Sequence, residues 1–407
     1  MRIHLCLFMT MHRKYFSIIF FLSFICNIAL AQEQTEEQSD SAVQAALPTD
    51  LHASFIIADP GLDFYSSYGH CVVRLQCPSA GLDFCYTYSL NETIANEIAM
   101  FRGTGKGEYA AIKTPLFLED YKNSGRGVKN YEINLTIDQI RQLWMILDNE
   151  IGKGAYRHYN YLKTNCSSMS MFAMEQCLGK DEIKWGYLSP GITGTYSNFI
   201  NTISEHRPWT GFFWTTILGS GGDEIGNMED KMGPQLLVPA LRDAKIVSPD
   251  GSERPFLKGE PTVVFDSKIE YKDWLFTPWS FFITLCILAI IISFLDIKKK
   301  AKVVVLGFDT ILFVLQTIAG LLVFYLSLIS DMVGAAGNWN ILVLNPLPLL
   351  LLFGRKKNWY KKVWLVYTVV ILVYIALWPI SPQVDALRML MVSPLLVRCA
   401  TKAFLNK

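Results

Sequence analysis

Apolar and polar positions divide the 407-residue chain into two unlike parts. Up to about residue 270, apolar residues come in short runs with the spacing of half-buried elements. Ala53–Ala58 reads as a strand closed by Asp59-Pro60-Gly61. His70–Leu75 reads as a second strand, with His70, Val72 and Arg74 on one face. A turn over 77–82 leads into a return strand, Asp83–Tyr88. Centred near Ala80, this hairpin places Tyr88 or Tyr86 beside His70 on the same face. Thr136-x-x-Gln139 is a capping box, opening a helix with Ile137, Ile140, Trp144, Leu147 and Ile151 on one side. A further helix starts at Cys166, where Met169, Phe172, Ala173 and Cys177 recur at helical spacing. Leu236–Arg242 predicts a short helix and Thr262–Phe265 a last strand.

Beyond residue 270 the pattern changes to five long apolar runs: Phe276–Leu295, Val303–Ser330, Ile341–Phe353, Val363–Ile380 and Ala386–Val397. Spans need about 20 residues, so the third and fifth are marginal, and the fifth fits the interface as well as a span. Lys298, Lys299, Lys300 and Lys302 follow the first run, Arg355, Lys356, Lys357, Lys361 and Lys362 the third, and Arg398, Lys402 and Lys407 the fifth. The loops Asp331–Asn340 and Ser381–Asp385 carry neither Lys nor Arg. The positive-inside rule therefore puts those loops and the first two-thirds of the chain outside the cytoplasm. The N-terminus agrees: His12, Arg13 and Lys14 precede an apolar stretch ending in Ala29-Leu30-Ala31, the form of a secretory signal, with Met11 a better-proportioned start than Met1. The expected organisation is a signal peptide over 1–31, a flexible Glu/Gln/Ser-rich linker over 32–50, an extracytoplasmic domain over 51–270 and a transmembrane domain of about five helices over 271–407.

Net charge is +1, which implies no nucleic acid or other polyanionic partner. Of the nine cysteines, Cys71, Cys77, Cys85, Cys166 and Cys177 fall in the exported part. Five is odd, and the compartment permits disulfides. Cys77 and Cys85 flank a Pro-Ser-Ala-Gly turn and could bridge a hairpin. Cys166 is then the candidate free thiol. Gly219–Gly222 lacks the Lys-Ser/Thr ending of a phosphate loop and reads as a flexible loop, with Asp223 and Glu224 a solvated turn. Asn338, Trp339, Asn340 and Asn345 sit at the outer end of the third run, where polar groups either face a substrate or simply mark a helix end. Asp309 and Gln316 are polar groups inside the second run.

A free cysteine is most often a buried structural residue. At a helix N-terminus, however, the dipole and free N–H groups lower a thiol pKa and supply donors to an oxyanion. A thiolate nucleophile also needs a base. Of His52, His70, His158 and His206, only His70 starts a strand after a Tyr-Gly pair, which allows a close, buried approach to the cysteine helix.

The order strand-His, return strand, then Asn-Cys at a helix start resembles the circularly permuted papain-like (NlpC-like) fold, an α+β class, here followed by an all-α membrane domain. Phe64-Tyr65-x-x-Tyr68-Gly69-His70-x-x-x-Arg74, Asp83-x-x-x-x-Tyr88, Gly125-Arg126, Asn134-Leu135-Thr136, Tyr161-x-x-x-Asn165-Cys166, Pro208-Trp209, Trp339-Asn340 and Asn345-Pro346-Leu347 together resemble the Lnb-type lipoprotein N-acyltransferases. The resemblance implies Cys166 as nucleophile and His70 as base, with Tyr88 or Tyr86 orienting His70. Asn165 would support the oxyanion and Arg74 would meet the donor phosphate. It implies a phospholipid acyl donor, diacylglyceryl lipoproteins as acceptors, no metal or organic cofactor, and a multi-pass protein of the bacterial inner membrane with its catalytic domain in the periplasm. The family pattern on the return strand is Asn followed by Tyr-Gly. Here it reads Thr87-Tyr88-Ser89, which leaves the third catalytic group open. A membrane-anchored NlpC-type cell-wall peptidase or a phospholipase shares the Cys and His, and a non-enzymatic sensor with a structural Cys166 is the remaining alternative. The oligomeric state is not set by the sequence.

Overall fold

The computed structural model describes residues 48–407 without 64, 91–92, 187–193, 225–232, 272–274, 353–358 and 405–407. The expected signal peptide and most of the expected linker lie outside the described residues. The linker's last residues are tied down, with the Asp50 carboxylate accepting the Ser79 N–H at 2.6 Å.

Ten strands are described: β1 (His52–Ala58), β2 (His70–Cys77), β3 (Leu82–Leu90), β4 (Lys106–Lys113), β5 (Val128–Glu132), β6 (Tyr156–His158), β7 (Glu182–Lys184), β8 (Lys245–Val247), β9 (Glu253–Pro255) and β10 (Thr262–Phe265). Seven form an antiparallel sheet in the order β10-β5-β1-β2-β3-β4-β6, and β7-β8-β9 form a small second sheet. The expected strands and hairpin are all present. The hairpin register pairs Cys77 with Leu82 and Val72 with Thr87. Cys77 and Cys85 are therefore out of register, and both are free thiols.

Helices α1 (Ile94–Phe101), α2 (Thr114–Asn123), α3 (Ile137–Gly152) and α4 (Cys166–Cys177) flank the large sheet. The α3 capping box forms as expected, Gln139 N–H to Thr136 Oγ1 at 3.3 Å and Thr136 N–H to Gln139 Oε1 at 3.1 Å. Helices α3 and α4 cover the sheet face that carries Phe55, Ile57, Cys71, Val73, Tyr86 and Tyr88. The opposite face carries Ile56, Ala58, Val72, Cys85 and Val128 and is closed by Phe117 of α2. Strand side chains alternate between faces, so neighbours in sequence belong to different cores.

Four further helices follow: α5 (Tyr196–Ile203), α6 (Pro208–Ile217), α7 (Ser220–Asp223) and α8 (Pro234–Arg242). The expected loop at Gly219–Gly222 is instead a docked turn. The Gly219 N–H donates to Gly334 O at 2.8 Å and the Ser220 N–H to Ala336 O at 2.9 Å. Asp223 accepts from Gln383 Nε2 at 2.9 Å, and Glu224 pairs with Lys163 at 2.8 Å. Asp223 is therefore held at this junction, whereas Glu224 stays exposed at a bend. Glycine is required here, since a Cβ on Gly219 would stand 2.1 Å from Ala336 O.

The C-terminal part is helical: α9 (Pro278–Ile297), α10 (Lys302–Leu328), α11 (Leu347–Leu352), α12 (Tyr360–Ala376) and α13 (Ala386–Phe404). Helices α9 and α10 are long and apolar enough to cross a membrane. The third apolar run is broken, into a 3-10 turn at Trp339–Leu342 and the described part of α11. The fifth run, left between interface and bundle, packs lengthwise on α9 and α12. Polar groups without legible partners find them here. Arg398 donates to Asp309 at 2.6 Å and Asp296 at 2.8 Å, and Lys402 pairs with Asp309 at 2.7 Å. Gln316 donates to Val343 O at 2.6 Å and Tyr367 Oη at 2.5 Å. Asn338 and Asn340 are buried and donate to Thr216 O at 2.9 and 3.1 Å, so they join the two parts and do not face a substrate.

Candidate active site

Cys166 is the first residue of α4. The β-region Asn165 precedes it as N-cap, its Oδ1 accepting the N–H groups of Ser167 at 2.9 Å and Ser168 at 3.1 Å. Ser168 Oγ returns the bond, accepting the Asn165 N–H at 2.9 Å. Asn165 Nδ2 donates to Tyr161 O at 3.2 Å. The helix start is thus fixed by a reciprocal cap. Asn165 is correspondingly spent on the backbone and is not a free donor to an oxyanion. Of the first-turn N–H groups, that of Cys166 itself lies outside the cap.

The Cys166 thiol is 6% exposed, and burial raises its pKa. Hydrogen bonds from the Cys71 backbone and from Ser167 pull the other way. The expectation of a thiolate lowered by the helix dipole is therefore not met: desolvation outweighs it.

His70 begins β2 on the face opposite Cys71, with its ring 6.3 Å from that of Phe117. Gly69 delivers it: φ is +80°, and a Cβ would fall 2.7 Å from Ala58 O. Nε2 of His70 is 2.7 Å from Thr87 Oγ1. Burial, helped by the Arg126 charge, lowers the His70 pKa to about 3. The residue is partly exposed where it lines a cavity, and the imidazole is neutral at pH 7.

Tyr88 and Tyr86 do not orient His70. Both lie on the other face, Tyr86 donating to Asp148 at 2.7 Å and Tyr88 reaching Arg157 O at 3.4 Å. The physical reason is parity. The connection Pro78–Gly81 has four residues, so positions paired across the hairpin differ in parity and Thr87 shares the His70 face. Counting the loop would have found it. Arg74 is also elsewhere: it grips Asp83 through Nε at 2.8 Å and Nη2 at 2.6 Å, and does not line the cavity. That pair satisfies the guanidinium and removes it as a phosphate ligand.

Cys166, Asn165, His70 and Thr87 all line one cavity of about 620 Å³. Tyr161 and Trp214 stand in its wall with ring centroids 4.9 Å apart, and Met332 and Val333, from the loop after α10, close one side. An enclosed thiol, a neutral imidazole from the other face of the sheet and an apolar wall reaching a membrane helix define a membrane-attached thiol site.

Residues 38–184 match the family model of the Lnb N-terminal periplasmic domain, and residues 270–407 that of the Lnb transmembrane domain. The chain belongs to the Lnb family of lipoprotein N-acyltransferases: a periplasmic α+β domain followed by a helical membrane domain. No curated protein and no solved structure matches it.

Proposed function

We propose that this protein moves an acyl chain from a phospholipid, through a Cys166 thioester, to the α-amine of a diacylglyceryl-cysteine lipoprotein. Nε2–H of His70 donates to Thr87 Oγ1, leaving Nδ1 as the base. The thiol and imidazole rest neutral, so the proton moves from Sγ to His70 as sulfur attacks the ester carbonyl. The tetrahedral oxyanion sits at the N-terminus of α4, where the Cys166 N–H is the donor outside the cap. Collapse breaks the ester C–O bond, the glycerol oxygen takes the proton from His70, and a lysophospholipid leaves. The lipoprotein amine then attacks the thioester, gives its proton to His70, and the departing sulfur recovers it. The amide product and the free thiol complete the cycle.

What supports this reading is that Cys166, at the start of its helix, and His70 line one cavity with an apolar wall. The apolar wall contributed by Met332 and Val333 favours a lipid donor over a cell-wall peptide. The helical domain is read as multi-pass in the bacterial inner membrane, with the Asp309–Arg398–Lys402–Asp296 cluster buried in its bundle. The test is intact mass spectrometry of wild type and Cys166→Ala after incubation with phospholipid. An acyl adduct in the wild type alone, discharged by a diacylglyceryl-peptide amine, is expected. Discharge by water alone would make the protein a lipase, and no adduct would end the lipid reading.

A further inference from the structure

The cavity holds a cation that the chemistry above does not use. Arg126 is only 9% exposed and lines the same cavity as His70. Its Nε donates to Asp59 O at 2.7 Å, and the guanidinium lies 4.6 Å above the Tyr121 ring. Nη2 has no hydrogen-bond partner, and Arg126 forms no ion pair, among the described residues. The nearby carboxylate of Asp63 is committed to Ser66, through its N–H at 2.8 Å and its hydroxyl at 2.6 Å. A buried guanidinium with a spare donor marks a place that an anion completes.

Its position fits a substrate of two characters. Tyr121 links Arg126 to Phe117, ring centroids 5.0 Å apart, and Phe117 adjoins His70. The cation and the base therefore share one wall. Leu162, Ile200, Trp214, Leu218, Met332 and Val333 form apolar parts of the lining that carry no charge. We propose that Arg126 binds the phosphodiester of the acyl donor, holding the lipid ester beside Cys166 while its acyl chains take the apolar wall toward the membrane loop. The planar fork suits a phosphate, and Lys would supply only a point charge. This inference rests on the acyl-transfer reading and replaces Arg74, which Asp83 occupies.

The experiment uses full-length protein in detergent, in two arms. In the Cys166→Ala background, binding of radiolabelled dioleoyl phosphatidylethanolamine and of dioleoylglycerol is compared with and without Arg126→Gln. Charged hydrogen bonds contribute about 1.5–3 kcal/mol, so phospholipid binding should weaken about 10- to 150-fold while dioleoylglycerol binding stays unchanged. Arg126→Lys should fall between. Unchanged phospholipid binding in Arg126→Gln overturns the inference, as does an equal loss for both lipids, which marks a structural role. Glycerophosphoethanolamine should compete. If inorganic phosphate competes equally well, the site takes free phosphate and the inference fails. In the second arm, thioester formation is followed in the Cys166-containing protein. Phosphate-dependent binding without any thioester would remove the acyl-transfer reading and leave the Arg126 site standing.

Discussion

Replacing Thr87 by Val removes one oxygen and almost no volume. The structure gives that oxygen a 2.7 Å contact to His70 Nε2, inside a site where Thr87 is 6% exposed. Leaving a buried imidazole N–H without its acceptor costs about 1–3 kcal/mol. If that cost falls on the ring orientation and tautomer used in the transition state, the acylation rate drops between about 5- and 150-fold. The assay is single-turnover acylation of Cys166 by phospholipid, followed by intact mass spectrometry over a range of lipid concentrations. Thr87→Val should lower the limiting rate and leave the half-saturating lipid concentration unchanged, because Thr87 acts through His70. Thr87→Ser and Thr87→Asn keep an acceptor and should retain most of the rate. Tyr88→Phe should be near wild type, since its hydroxyl lies on the other face of the sheet. A fully active Thr87→Val, or a Tyr88→Phe as slow as Thr87→Val, would refute the assignment.

Because burial raises the Cys166 pKa, iodoacetamide labelling of Cys166, tracked by peptide mass, should climb about tenfold per pH unit through pH 9; a plateau below pH 7 would mean a preformed thiolate. With the His70 pKa lowered to about 3, the base stays unprotonated as pH falls through 6.5, so the acid limb of acylation should appear well below 6.5; a midpoint at 6.5 would contradict the buried, neutral ring. Asn165→Ala removes an acceptor shared by two N–H groups and should cost about 1–2 kcal/mol, read as a lower thermal transition, with Asn165→Asp retaining more of it. Asp309→Asn leaves Arg398 and Lys402 short of a buried counter-charge, and should cost about 3–5 kcal/mol, seen as loss of monodisperse protein in detergent.

Legibility followed the range of the interaction. The capping box at Thr136 and Gln139 and the polar Asn165 before Cys166 act over three residues, so the sequence contains both partners. The division into periplasmic and membrane parts was equally visible, because hydropathy and the placement of Lys and Arg are properties of composition along the chain. The nucleophile and base candidates, Cys166 and His70, stood out through local context; both line the one cavity, from opposite faces of the sheet.

What the chain alone left open depends on parity and distance. One residue of difference in the Pro78–Gly81 connection moves Tyr88 and Tyr86 to the far face and puts Thr87 on His70, because strand side chains alternate with period two. Arg74 and Arg126 look equally available in sequence; Asp83, nine residues from Arg74, satisfies the first, while the second ends in a cavity with a donor to spare. The thiol pKa turns on desolvation by residues far apart in the chain, which no dipole argument at one helix end contains. Asn338, Asn340, Gln316 and Asp309 likewise gain their meaning from partners on other elements. Local patterns determined the elements, the domains and the candidates. Only packing decided which candidates face one another, since a hydrogen bond or an ion pair exists only where the folded backbone brings both groups within reach.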